Sequence, residues 1–220
     1  MSLVAVRDAA ERLGVSTRQV QHLVAQGELT ALARGVIDSD SIEAFLAERG
    51  QRRTRAWLPE TAWGSVAILS GLEASWMGAS QRSRLKARLR TMSSADLVDR
   101  ARDRADTFRY AGHSTVAGRL RGAIVGTSAV RPQLGLAEAN AIDGYVAVDE
   151  LGNLERRFGL TRDTDGRITL RATAFPIATI TRLADAGTAL AALDLAGSLD
   201  VRERVAGLDA LTDALEKLRG

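Results

Sequence analysis

Apolar residues recur at helical spacing near the start of the chain, in VRDAAERLGVSTRQVQHLVAQG, residues 6–27. The small and apolar residues that fall on the inward faces of two short helices are Ala10, Val20 and Leu23. Gly14 suits the left-handed turn between these helices, Ser16 is a strong N-cap, and Gly27 ends the second helix. This pattern is a helix-turn-helix, whose second helix enters the major groove of DNA. The sequence therefore predicts DNA binding.

A short wing is predicted next. Two very short strands are expected within TALARGVI, with Arg34 at the tip between them. SIEAFLAERG then predicts a helix with Asp38 or Ser39 as its cap and apolar residues on one face. We predict a winged helix-turn-helix DNA-binding domain over residues 1–50, joined to the rest by a polar, basic linker at 51–56.

The remaining residues, 57–220, predict a larger domain that is helical over 57–106 and mixed over 107–220. The expected helices lie at 59–70, 80–92, 95–106 with Ser94 as cap, within DELGNLERRFGL with Asp149 as cap, and at 186–197 and 200–219. The expected strands lie in TFRYAG, AIVGTSAV, DGYVAV and GRITLRAT. The predicted fold class is α+β: a small N-terminal winged helix-turn-helix, then a larger mixed α+β domain with C-terminal helices.

Polar residues make up the outward face of the second helix. The candidate DNA-binding residues there are Ser16, Thr17, Arg18, Gln19, Gln21 and His22. Arginine can pair with guanine and glutamine with adenine, while serine and threonine reach phosphates or base edges. Arg34 could contact the minor groove or backbone, and Arg52, Arg53 and Arg55 could contact phosphates. The alternative is a solvated face of a small helical domain.

Charge is distributed unevenly along the chain. Residues 57–122 hold eleven Arg and Lys against six Asp and Glu, whereas residues 123–220 hold eleven against fourteen. A basic amphipathic helix lies in the first of these segments, and its candidate contacts to phosphate or to an acidic partner are Arg82, Arg84, Lys86, Arg88 and Arg90. A solvated face above an apolar core stripe explains these residues equally well.

Little in the sequence predicts catalysis. Gly126-Thr127-Ser128 follows an apolar segment and is similar to the Gly-Ser turn of nucleotidyltransferases, but these enzymes need paired carboxylates close downstream to hold Mg²⁺. The next aspartate, Asp143, stands alone, and so does His113. Cysteine is absent, which excludes disulfides and thiolate metal sites. We therefore expect no catalytic residue, no metal and no cofactor.

The sequence also shows no pattern typical of a membrane span or a secretion signal. No apolar run approaches the roughly 20 residues that span a bilayer. The N-terminal stretch MSLVAVRDAAERL carries charges inside its apolar part and has no signal-peptide layout. We expect a cytoplasmic protein with no membrane partner.

Residues 3–49, in VRDAAERLGVSTRQVQHLVAQGEL and RGVIDSDSIEAFLAERG, resemble the excisionase and MerR-type winged helix-turn-helix group. This resemblance implies that the second helix reads double-stranded operator DNA. The wing here is shorter and less basic than in many members of that group, with Arg34 as its one basic residue.

A second resemblance is diffuse and covers most of 57–215. WGSVAILSG, SQRSRLKARL, FRYAGH, GYVAVDELGNLERRFGLTRDTDGRITLRAT and ALDLAGSLDVRERVAGLDAL are similar to phrases in antitoxins of bacterial type IV abortive-infection toxin–antitoxin systems. It implies a repressor that binds its own promoter and neutralises a nucleotidyltransferase-type toxin by binding, without turnover. The excisionase-like N-terminal domain departs from the winged domains that typical members carry.

Two other classes of function remain open. The chain could be a stand-alone or phage-derived regulator whose C-terminal domain oligomerises or senses a ligand, or an enzyme with a degenerate nucleotidyltransferase-like site. The last helix carries a long apolar stripe: Val201, Val205, Leu208, Leu211, Leu215 and Leu218. Such a stripe is more often core than the seam of a homo-oligomer or toxin complex.

Overall fold

A computed structural model describes residues 3–25, 27–33, 35–49, 55–137, 141–198 and 200–220, and these form a mixed α+β structure. We call the described part of residues 3–49 the first unit and that of 55–220 the larger unit. The elements of the first unit are β1 (Leu3–Ala5), α1 (Val6–Leu13), α2 (Thr17–Ala25), β2 (Ala31–Ala33), β3 (Val36–Asp38) and α3 (Ser39–Arg49).

The turn between α1 and α2 has the predicted chemistry. Gly14 adopts φ 66°, and the backbone N–H of Gln19 donates to Ser16 Oγ at 3.2 Å, so Ser16 caps α2. Val20 and Leu23 are buried in a core that the first unit forms from its own residues. At the start of α3, Asp38 accepts from the backbone N–H of Asp40, which selects Asp38 as the capping residue.

A three-stranded antiparallel sheet completes the first unit. Its order is β1-β3-β2, so β3 is central, and Val4 of β1 pairs with Ile37 of β3. The strands β2 and β3 were predicted. The pairing of β1 was missed, because a three-residue strand leaves no periodic signal in the sequence.

Sixteen further elements make up the described part of the larger unit. The helices are α4 (Pro59–Leu69), α5 (Ala79–Arg90), α6 (Ser94–Ala101), α7 (Ala117–Arg121), α8 (Leu151–Phe158), α9 (Ile177–Asp185), α10 (Ala189–Leu195) and α11 (Val201–Arg219), with short 3-10 segments at Arg102–Arg104, Ser114–Val116 and Ser128–Leu134. The strands are β4 (Asp106–Ala111), β5 (Val125–Gly126), β6 (Ile142–Ala147), β7 (Thr161–Arg162) and β8 (Ile168–Thr173).

The strands of the larger unit form one sheet of order β5-β6-β8-β4-β7. The central pair, β6 and β8, is parallel, and the other pairs are antiparallel. One face is apolar along its strands: Ile142, Val146, Ile168 and Leu170 pack in a core with residues of α7 and α8. On the opposite face Tyr145 packs edge-on against Trp63 of α4, with ring centroids 5.3 Å apart.

The C-terminal helices pack closely because α11 carries a glycine at the crossing. A Cβ on Gly207 would lie 2.5 Å from Ala196 N and 2.6 Å from Ala192 O. The apolar stripe of α11 divides along its length: Leu211 and Leu215 are buried, whereas Val201 and Val205 are exposed. The stripe is therefore core only in the second half of the helix.

Several local predictions in this unit were wrong. The α6 helix ends at Ala101 and its cap is Ser93, whose Oγ accepts the Asp96 N–H, because Ser93 rather than Ser94 has the extended backbone of an N-cap. The segment AIVGTSAV holds only the two-residue β5 and then turns into a 3-10 helix. Asp149 does not cap α8, since Glu150 precedes that helix with helical φ and ψ.

The helix α9 was missed altogether. Its residues Ile180 and Leu183 are buried in the main core, but Pro176 and the β-branched residues that follow hid the helical period. None of the helices in the described ranges combines the length and the apolar character needed to cross a bilayer.

Candidate nucleic-acid interface and a buried polar cluster

The outward face of α2 is fully accessible in the first unit. Its six candidate residues are all exposed: Ser16, Thr17, Arg18, Gln19, Gln21 and His22. Arg18 and Gln21 are three residues apart, so they lie side by side on one helical face. The first turn of α2 also presents backbone N–H groups, which favour a phosphate. This face therefore carries groups of the chemical types that can contact base edges and phosphates.

Of the other predicted DNA contacts in this region, the structure describes only one. Arg34, Arg52 and Arg53 lie outside the described residues. Arg55 is described and is exposed.

The basic helix α5 has a partly structural role. Arg82 forms an ion pair with Glu73 at 3.1 Å and also donates to the carbonyl of Met77. Arg90 Nε donates to the carbonyl of Leu218 at 3.1 Å, which satisfies a carbonyl at the end of α11. Two of the five predicted contacts thus hold neighbouring segments in place.

The other three basic residues of α5 are exposed. Arg84 Nε donates to the carbonyl of Ser80 one turn earlier, and the Arg88 guanidinium lies 5.7 Å from the ring centroid of Trp57. Lys86 is two positions from each of these arginines, so it lies on the other side of α5. The three exposed basic residues therefore do not share one face.

A second polar site lies inside the larger unit, and the sequence did not reveal it. We call it the buried polar cluster, and it comprises Arg104, Thr127, Asp143, Tyr145, Arg171 and Asp194. Asp194 is its centre: it accepts from Arg104 Nη2 at 2.5 Å, from Tyr145 OH at 2.5 Å and from Thr127 Oγ1 at 3.1 Å. Because Asp194 is only 3% exposed, these bonds replace the water it loses on folding.

Arg171 links this centre to the surface. Its Nε donates to Asp143 Oδ1 and its Nη2 to Asp143 Oδ2, both at 2.8 Å, which is a bidentate pair. The same Nε lies 3.3 Å from Asp194 Oδ1. The cluster therefore contains two guanidinium groups and two carboxylates, and their formal charges cancel.

Burial and the neighbouring charges shift the pKa values of residues in this cluster. Burial raises the pKa of Tyr145 above its ordinary value, so the phenol stays protonated. For Arg171 burial acts to lower the pKa, but Asp143 and Asp194 outweigh it and raise the pKa further.

The cluster forms part of the wall of a cavity of about 620 Å³. Two cross-strand rows of the sheet line it, with the exception of Tyr145. The rows, read from β4 through β8 to β6, are Thr107, Arg171 and Tyr145, and Arg109, Thr169 and Asp143. Glu28 and Phe45 of the first unit also line the cavity.

The turn Gly126-Thr127-Ser128 lies at this cavity. Thr127 donates a hydrogen bond to Asp194, and both Ser128 and Asp143 line the cavity. Tertiary packing thus brings together a turn and two aspartates that are far apart in sequence. Within the described ranges no three His, Cys, Asp or Glu side chains are grouped to hold a metal ion.

A sequence signal for the cluster existed. Asp194 is the one charged residue in the otherwise apolar ALAALDLAG, and Arg171 interrupts the apolar alternation of ITLRAT. A lone charge among buried positions indicates a buried, paired group. The sequence gives no means of identifying the partner of such a group.

Comparison with known proteins adds no relative: no protein family model, no curated protein and no solved structure matches the chain.

Proposed function

We propose that this chain is a DNA-binding transcriptional repressor, in which the first unit acts as a winged helix-turn-helix and α2 enters the major groove. The observation that carries the proposal is the outward face of α2. It is exposed and rich in hydrogen-bonding groups, while Val20 and Leu23 fix the opposite face in the core. The cap, the turn glycine and the buried spacing all agree with this helix-turn-helix arrangement.

Arg18 and Gln21 are the proposed base-reading residues. Arginine can bind guanine O6 and N7 together, and glutamine can bind adenine N6 and N7. The first turn of α2 and Arg55 would contact phosphates, which position the protein without reading sequence. A helix of this length reads few bases, so the proposal includes a homo-oligomer on two half-sites about 34–36 Å apart.

A binding assay on the chain's own upstream DNA tests this proposal. Arg18→Ala should weaken specific binding by about 1–3 kcal/mol, or roughly 5- to 150-fold, with less effect on a scrambled duplex. Arg121→Ala is the matched control, because it removes one exposed positive charge from the larger unit. If the wild-type chain binds both duplexes equally and Arg18→Ala changes neither, base reading by α2 is refuted.

The resemblance of residues 57–215 to type IV antitoxins extends the proposal to the larger unit. On this view the chain represses its own promoter in the bacterial cytoplasm. It also neutralises a nucleotidyltransferase-type toxin by stoichiometric binding, and it is not an enzyme. The features of the larger unit compatible with a partner surface are the exposed basic residues of α5 and the exposed Val201 and Val205 of α11.

Co-expression with the proposed toxin distinguishes the antitoxin role from DNA binding. The full chain should rescue cells from a toxic nucleotidyltransferase encoded beside it, and Arg18→Ala should rescue them equally well, since it lies outside the larger unit. Failure of the full chain to rescue would refute the antitoxin role and leave DNA binding intact. If the chain binds its promoter and no neighbouring gene encodes a toxin, a stand-alone regulator would be favoured.

A further inference from the structure

The first half of α11, residues 201–209, leaves apolar side chains in solvent. Val201 and Val205 lie one turn apart and are 62% and 50% exposed. The other side of the helix is fixed, because a Cβ on Gly207 would already meet the backbone of Ala192 and Ala196. Neighbouring exposed apolar side chains gain free energy when a partner covers them. The exposed side of this segment is therefore available to a partner.

The start of α11 is also rigid. Asp200 caps the helix by accepting the backbone N–H groups of Arg202 and Glu203. The Glu203 side chain accepts from Arg131 and from Ser198, each at 2.6 Å. A segment whose conformation is fixed before binding loses little conformational entropy when it docks.

Opposite charges flank the apolar centre of this segment. Arg202 and Asp209 are exposed and seven positions apart, so they lie two turns apart on one side of the helix. Val205 and Ala206 lie midway between them. Within the described part of the chain, neither charged side chain takes part in a hydrogen bond or an ion pair. An antiparallel copy of the same segment therefore presents the complementary charge at each end.

We propose that two copies of the chain associate through this segment, with their α11 helices antiparallel about a two-fold axis between Val205 and Ala206. In this arrangement Arg202 faces Asp209 of the partner subunit, and the symmetry repeats the contact. The two Val205 side chains meet beside the axis. A parallel pairing would instead place Arg202 beside Arg202 of the partner subunit, which is unfavourable.

This interface deepens the proposed function, because it joins the two copies that would occupy two DNA half-sites. Its role on DNA rests on that function, whereas its formation does not and is measured without DNA. Stable interfaces bury about 800 Å² on each partner, and two turns of one helix supply less. We therefore expect a weak dimer with a Kd of about 10–100 μM.

Sedimentation velocity of the full chain, without DNA, tests the proposal over about 5–500 μM, a range that brackets the expected Kd. The sedimentation coefficient should rise from the monomer value towards the dimer value across this range. A chain that stays monomeric throughout overturns the proposal but leaves base reading by α2 standing. Conversely, a dimer that does not bind the upstream duplex specifically refutes the proposed function alone.

Charge reversal tests the pairing. Arg202→Asp and Asp209→Arg each place like charges across the axis, and each should weaken association at least about tenfold. The double variant exchanges the two charges, so opposite charges face each other again and association should return to the wild-type value. Glu216→Arg, an exposed change on the same helix outside the segment, should have no effect. A double variant that associates no more tightly than the single variants would overturn the proposal.

Val205→Glu tests the apolar centre of the interface. It places two carboxylates beside the axis and should abolish association below about 500 μM. Val148→Glu is the matched control, because Val148 is 51% exposed and lies outside α11. Both positions are exposed, so both variants should fold. Dimerisation of folded Val205→Glu with wild-type affinity would show that α11 is not the interface.

Discussion

Polar side chains occur in two contrasting settings in this molecule. Those of α2, from Thr17 to His22 on its outward face, extend into solvent and cost little to keep there. Those of the buried polar cluster hold one another through short hydrogen bonds, with Asp194 accepting three of them. An exposed polar residue can form hydrogen bonds with a partner molecule. A buried polar residue must form its hydrogen bonds within the fold, because leaving it unpaired there is costly.

The contrast predicts the largest stability loss at Asp194. Asp194→Ala leaves Arg104, Tyr145 and Thr127 buried without their shared acceptor, and we expect a loss of about 3–5 kcal/mol in the free energy of unfolding. Urea denaturation measures it. Asp213→Ala, an exposed aspartate on α11, should stay within about 0.5 kcal/mol of wild type. Similar losses in the two variants would mean that the cluster is not buried in solution.

A pH titration probes the same contrast without mutation. Tyr110 and Tyr145 are the chain's two tyrosines, and burial raises the pKa of both above the ordinary value of about 10. For Tyr110 the hydrogen bond to Glu155 raises the pKa further. Absorbance of the folded protein at 295 nm should therefore show no phenolate at a pH of about 10.

The sign of the stability effect follows from the direction of these shifts. The folded state keeps two protons that the unfolded state releases above a pH of about 10. The stabilisation is complete below that pH and is lost as the pH rises toward the raised values. Phenolate formation near pH 10 before unfolding would contradict the burial of these residues.

A smaller effect is expected at the cap of α2. Ser16→Ala removes the acceptor for the Gln19 N–H and should lower the opening free energy of α2 amides by about 1 kcal/mol. Hydrogen exchange resolved by residue measures this loss, and the amides of α11 serve as an internal control. Unchanged protection in α2 would show that Ser16 does not act as its cap.

The smallest effect is expected from the outward face of α2. Arg18→Ala combined with Gln21→Ala should change the free energy of unfolding by less than about 0.5 kcal/mol, because both side chains are exposed. Thermal denaturation of the double variant measures this change. A loss of several kcal/mol would show that these residues stabilise the fold, and the contrast with the cluster would disappear.

The sequence by itself determined the parts of the molecule whose interactions are local. Gly14, Ser16, Val20 and Leu23 lie within ten residues of one another, so turn geometry, capping and helical period fixed the α1–α2 arrangement and its exposed face. The same local signals located β4, β6 and β8. Local signals failed where an element was short or irregular, as in β1 and the segment after β5, and where β-branched residues hid the helical period, as in α9.

Only the tertiary structure determined the cluster and its cavity. Arg104 and Asp194 are separated by 90 positions in the chain, and Asp143 and Arg171 come from two parallel strands whose pairing no short segment encodes. Sequence patterns show that a lone charge such as Asp194 needs a partner, because burying it unpaired is costly. Which residue supplies the partner depends on strand order and helix packing, and these depend on the chain as a whole.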